Sequence, residues 1–240
     1  MMTEDLQEIV GRAYELFAAY GVAKPLDVCP CCLKAKEMDQ LVSLDVKHIP
    51  QKLLYTWNHA AKTDHPDLIE FKPFLPRFLD LIAQCDFPSH SVEITLKSFR
   101  YYTDGEWTRE ERRLIDDFGW AFFQHCLRTF PLPNVISLDE IIIMLSLAGV
   151  DIAPLLFEWE ISEHKESVFH FAEFAIYGVD LGNPFAEAEL NAKLLAWLGT
   201  EGVVSDFSDK IKDLILNQDE AEEDVLPDLS WAYKRLQLFG

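Results

Sequence analysis

The sequence predicts an all-α protein built as an irregular stack of antiparallel helix pairs. Three observations predict it. Apolar residues recur at three- and four-residue spacing along nearly the whole chain, and nowhere alternate convincingly as a sheet strand would. Thr108 with Glu111 and Ser137 with Glu140 repeat the Ser/Thr-x-x-Glu signal of a helix start ahead of apolar runs. Gly21, Pro50, Gly178, Pro184 and Gly199 fall where helices begin or end. With 240 residues the chain can bury a real core. It reads as a single all-helical domain over 1–240, with a soft division at 131–136 around PLPN.

The elements follow in order. Residues 5–20 put Leu6, Ile9, Val10, Ala13, Leu16 and Phe17 on one side, and Gly21 is placed to end that helix. A short helix over 34–43 carries Met38, Leu41 and Val42. Pro50 opens the next, with Leu53, Leu54 and Trp57 inward. The run over 71–85 spaces Phe74, Phe78, Leu81 and Ile82 helically, with Pro73 and Pro76 in its first turns. Its string FLPRFLDLI resembles one helix of a HEAT-like pair. Ser89 or Ser91 is expected to cap a helix bearing Val92, Leu96 and Phe99. Thr108 caps a long helix to Phe130, and Ser137 caps one through Ile141, Met144 and Leu145. IIIML could pass for a strand, but its cap argues for helix. Further helices are expected over 152–161, from Ser162 to Tyr177 with Gly178 at its end, from Pro184 to Leu198 before Gly199, and from Ser205 or Asp206 through Leu214. Residues Gln218–Asp224 read as an acidic loop, and Asp228–Leu238 as a last short helix.

Charge narrows the function. The chain has 41 acidic and 21 basic residues, a formal net charge of −20. Such a surface repels nucleic-acid phosphates. The best basic patch, Arg109, Arg112 and Arg113, is hemmed in by Glu110, Glu111, Asp116 and Asp117. The longest apolar stretch, residues 136–150, is too short to span a bilayer and holds Asp139 and Glu140. MMTEDLQEIV does not read as a secretory signal, so the cytoplasm is the expected location. Residues 158–240 hold 18 acids against 6 bases, which suits a partner protein with a basic surface.

The densest unusual string is DVCPCCL at 27–33. Cys29 and Cys32 have C-x-x-C spacing, with Cys31 between them. Thiolates at this spacing ligate zinc or exchange disulfides. Zinc takes four ligands, and His90, Cys85, His48 and Cys126 are the distant candidates to complete the set; Cys29, Cys31, Cys32 and His90 are the expected metal residues. The cofactor expectation is none or one zinc ion. A thioredoxin-like site normally follows a core strand, and none is visible. Cysteines packed as small apolar residues in a turn are the simpler account.

Other clusters are weaker. Glu166, His170 and Glu173 share a helical side, which suits a surface hydrogen-bond or ion-pair network better than a metal, since no E-x-x-H pair exists. Asp64, His65 and Asp67 flank Pro66 in a loop. No G-x-S-x-G or glycine-rich phosphate loop occurs, and no catalytic residue is assigned. Tyr101, Tyr102 and Trp107 flank the polar turn TDGE and are candidates for exposed anchors of a protein partner.

The runs PLDVCPCCL, FLPRFLDLI and SHS at 89–91 resemble a group of uncharacterised bacterial all-helical proteins with a DVCxCC motif near the N-terminus. By size, charge and fold the chain is also similar to bacterial immunity proteins. That resemblance implies a non-enzymatic inhibitor of a basic toxin; the charge and aromatic pattern of this chain then gives Glu220, Glu222, Glu223 and Asp224 as the acids that steer the encounter and Trp107, Tyr101 and Tyr102 as its anchors. The alternative is a metal-binding or thiol-redox protein centred on the cysteine cluster.

Overall fold

The computed structural model describes residues 2–22, 26–62, 68–99, 105–217 and 225–238. Among these residues every regular element is helical: α1 (Glu4–Phe17), α2 (Ala35–Ser43), α3 (Gln51–His59), α4 (Leu68–Phe71), α5 (Leu75–Ile82), α6 (Arg109–Leu127), α7 (Leu138–Leu147), α8 (Ala153–Ile161), α9 (Lys165–Glu173), α10 (Ala188–Leu198), α11 (Val203–Leu216) and α12 (Leu226–Leu236). Two units share them, Met1–Phe122 and Phe123–Gly240, with the division inside α6. No helix of the described residues is long and apolar enough to cross a membrane.

In the first unit, α1 packs on α5. The α1 stripe is Leu6, Val10, Ala13 and Phe17, at steps of four, three and four. Thr3 caps it by accepting the Leu6 N–H. The helix stops at Phe17, short of Gly21. Tertiary contact explains the stop: the Tyr20 hydroxyl donates to Glu111 at 2.6 Å, which draws the chain off the helical path. Pro73 and Pro76 do sit in first turns, of a 3₁₀ turn over 72–74 and of α5. Around them Trp57 meets Phe71, Phe74 and Phe78, and Phe99 meets Phe71, Phe78 and Trp107.

Residues 89–99 differ from expectation. They form consecutive turns ending in a 3₁₀ turn over Lys97–Phe99, not a helix. Their polar side chains compete for local partners: Ser91 donates to Glu93, and Thr95 to the Ser91 carbonyl.

In the second unit α7 is buried all round, from Leu138 through Leu147 except Asp139, Glu140 and Ser146, so IIIML is a core helix. Trp159, Phe171, Trp197 and Phe207 form its aromatic centre, with Phe171 and Phe207 stacked at 3.8 Å. After α9 the chain widens into a π-turn over Phe174–Gly178, where the Val179 N–H reaches the Phe174 carbonyl. Gly178 fits there because a Cβ would lie 2.4 Å from the Phe174 ring.

Candidate metal centre

The cysteine loop is pinned on both sides before any thiol is considered. Leu26 and Leu33 are buried and hold its ends in the core. The Asp27 N–H donates to both carboxylate oxygens of the buried Glu70, at 3.1 and 3.0 Å. The Cys29 N–H donates to the Ala61 carbonyl at 2.7 Å. Beyond the loop, Glu37 accepts the Lys34 N–H and starts α2.

Between these anchors the backbone turns. The Cys29 carbonyl accepts the N–H of Cys32 at 2.9 Å and of Leu33 at 3.1 Å. Pro30 occupies the second position of this turn, where its fixed φ is already suitable. The consequence is that three cysteine side chains emerge from one bend. The sulfurs of Cys29, Cys31 and Cys32 all lie within 4.8 Å of one another. The Cys31 and Cys32 sulfurs are 3.9 Å apart. Cys29 is half-exposed, and Cys31 and Cys32 are exposed.

The thiols perturb one another. A hydrogen bond from the Cys31 thiol, followed by the backbone N–H of Cys31, holds Cys29 below the usual thiol value. Cys31 is pushed up to about 11, first by its hydrogen bonds to Cys29 and Cys32 and then by their charge.

Lys62 stands behind the same segment. Its ammonium donates to the carbonyls of Trp57, Asn58 and Ala60 at 2.8, 3.2 and 3.3 Å, and so closes the C-terminus of α3. Burial lowers its pKa to about 8, against the opposing charges of Glu70 and Asp27. Nothing in the sequence pattern signalled Glu70, Ala61 or Lys62 as supports of the loop, because each acts through backbone groups rather than through a motif.

The remaining expected site residues fall elsewhere. His90 is absent from the group of ligand atoms around the three sulfurs. Its Nδ1 instead lies 2.6 Å from His59 Nε2. The Tyr55 carbonyl, 2.9 Å from His59 Nδ1, can only accept. His59 Nδ1 therefore donates to it, and the His90 backbone N–H lies 3.4 Å from His59 Nε2. Cys85 and Cys126 are buried core thiols. His170 is 1% exposed, so its expected pairing with Glu173, 4.0 Å from Nδ1, is made from a buried imidazole and not on the surface. Its Nε2 donates to the carbonyls of Cys126 and Thr129 at 3.0 and 2.9 Å, which closes the end of α6. Trp107, expected as an exposed anchor, is 8% exposed and packs edge-on to Phe17. Asp64, His65, Asp67, Tyr101, Tyr102, Glu220, Glu222, Glu223 and Asp224 lie outside the described residues.

No protein-family model, curated protein or solved structure matches the chain. The resemblance to bacterial helical and immunity-like proteins therefore gains nothing from comparison. What stands is an all-helical chain with a three-cysteine cluster near its N-terminus.

Proposed function

We propose that the protein binds a single zinc ion through Cys29, Cys31 and Cys32. The observation that carries this reading is the sulfur spacing. Zinc–thiolate bonds are about 2.3 Å, so neighbouring sulfurs of a tetrahedral site stand about 3.8 Å apart. The Cys31 and Cys32 sulfurs are separated by 3.9 Å, and the whole triad fits within 4.8 Å. Thiolates are soft ligands and suit a d¹⁰ ion. The loop is held by backbone hydrogen bonds that do not involve the sulfurs, so the ligands can turn toward a metal without unfolding it.

With three protein ligands on an exposed bend, the fourth position is left to water or to an incoming group. That is the arrangement of an exchangeable or reactive site rather than a closed structural one. The protein-partner reading has less beneath it. It retains the charge of −20. Of its assigned residues, the only described one, Trp107, is buried.

The test is titration of the reduced protein with zinc against a chromophoric chelator, with cobalt(II) as a spectroscopic substitute. One equivalent should bind, and cobalt should show thiolate charge-transfer absorption. The variant Cys29→Ser/Cys31→Ser/Cys32→Ser should keep its helical circular dichroism and lose the binding. Binding that survives in this variant, or its absence from the reduced wild-type protein, rejects the reading.

A further inference from the structure

We propose that Cys29 and Cys32 form a thiol–disulfide switch, in which a low-molecular-weight disulfide of the glutathione class oxidises the pair and expels the metal. The proposal rests on the metal-site reading, because what the switch controls is an ion held by the same sulfurs.

Backbone geometry admits the pair and disfavours the adjacent one. The Cys32 N–H to Cys29 carbonyl bond of 2.9 Å closes a four-residue turn. The ends of such a turn lie within about 7 Å, Cα to Cα, and disulfides need roughly 4.4–6.8 Å. The adjacent pair, Cys31 and Cys32, fails the same requirement. Consecutive Cα atoms are about 3.8 Å apart across a trans peptide, below that range. The sulfurs of Cys29 and Cys32 already lie within 4.8 Å. Closing to a bond therefore needs side-chain rotation and little movement of the loop.

Accessibility selects the same cluster over the rest of the protein. Cys31 and Cys32 are exposed and Cys29 half-exposed, whereas Cys85 and Cys126 are buried. A dissolved disulfide can reach the first group and not the second.

The reaction balances as two exchanges. One thiolate of the pair attacks a sulfur of glutathione disulfide. A protein–glutathione S–S bond forms, the glutathione S–S bond breaks, and one glutathione leaves with the electron pair. The second protein thiolate then attacks the protein sulfur of the mixed disulfide, forming the Cys29–Cys32 bond and releasing the second glutathione. The pair loses two electrons, the small disulfide gains them, and the two departing glutathione thiolates take up protons from water, where the cysteine protons went on ionisation. Cys31 alone remains as a thiolate ligand, which is too few to keep the ion.

The experiment incubates the reduced protein, zinc-free and zinc-loaded, with glutathione disulfide. It reads free thiols, the peptide map and zinc released to a chelator. Thiols should fall from the five free cysteines to three. The map should join Cys29 to Cys32, and zinc should be released in step with oxidation. Cys32→Ser should carry a glutathione adduct in place of the bridge. Five thiols remaining, a bridge between any other pair, or oxidation with zinc still bound would each overturn the switch. The two readings fail separately. Zinc uptake without disulfide formation removes the switch and leaves the metal site. A Cys29–Cys32 bridge in protein that takes up no zinc removes the metal site, and with it any switch that releases metal.

Discussion

Lys72 is 3% exposed and Glu111 1% exposed, and each has its hydrogen bonds filled. The Lys72 ammonium donates to both Glu111 oxygens, at 3.0 and 2.8 Å, to the Glu106 carbonyl and to the Tyr20 hydroxyl. It also lies over the Tyr20 and Trp107 rings. Burial opposes the Glu111 charge, but hydrogen bonds from Lys72, Tyr20 and the Thr108 N–H outweigh it and hold the carboxyl below its usual range. Lys72→Met strands a buried carboxylate, and a loss of about 3–5 kcal/mol is expected in urea unfolding. Lys72→Met/Glu111→Leu should recover part of it, since it removes the stranded charge but takes the Glu111 acceptor from the Tyr20 hydroxyl and the Thr108 N–H. The pH signs differ between two groups. Glu111 is depressed, so its contribution is present above the unfolded carboxylate value and is lost as pH falls through the folded one. Lys62 is lowered from 10.5 to about 8, so between these values the unfolded chain binds more protons. Its contribution to stability therefore rises with pH across that window. Urea midpoints measured from pH 8 to 10.5 should show the rise flatten in Lys62→Met.

At the scale of elements, the two capping boxes are the most transferable features. Thr108 and Glu111 exchange hydrogen bonds at 2.7 and 3.2 Å, and the Ser137 N–H reaches Glu140 at 2.9 Å. Thr108→Ala and Ser137→Ala should each cost about 1 kcal/mol, read as a shift of the urea midpoint at constant slope. These starts were legible in the sequence because a cap is local chemistry, and so was α3 behind Pro50. What was not legible depends on distant partners. The turns over 89–99 carry helical spacing, yet Glu93 and Thr95 are buried and their side chains bond locally. The helix expected from Ser162 to Tyr177 starts later, at Lys165, and changes to a π-turn at Phe174. The cysteine site divides the same way. Its spacing and its proline turn were readable, because both lie within five residues. Its anchorage to Ala61 and Glu70 was not, and neither was the pairing of His90 with His59, because these depend on how separate segments meet.

Across the whole molecule the charge is uneven. Residues 123–240 hold 21 acids and 7 bases, a net of −14, and residues 1–122 carry the remaining −6. Self-repulsion of this size disfavours the folded state, and salt screens it. Raising sodium chloride from low to near-molar concentration at neutral pH should increase Tm in a calorimetric scan, and an unchanged or falling Tm would contradict the argument. The position of α6 has a different kind of consequence. This 19-residue helix begins in the first unit and ends in the second. Phe118 and Phe122 bury their rings from its first part, and Phe123, Cys126 and Leu127 from its last. The carbonyls of Cys126, in its last turn, and of Thr129, just past its end, are taken by His170. A fragment ending at 122 would carry a helix without its final turns, and one starting at 123 would open partway along that helix. During synthesis the N-terminal half cannot complete its last helix until residues of the C-terminal half have emerged, so the order of translation and the order of folding are tied together at α6.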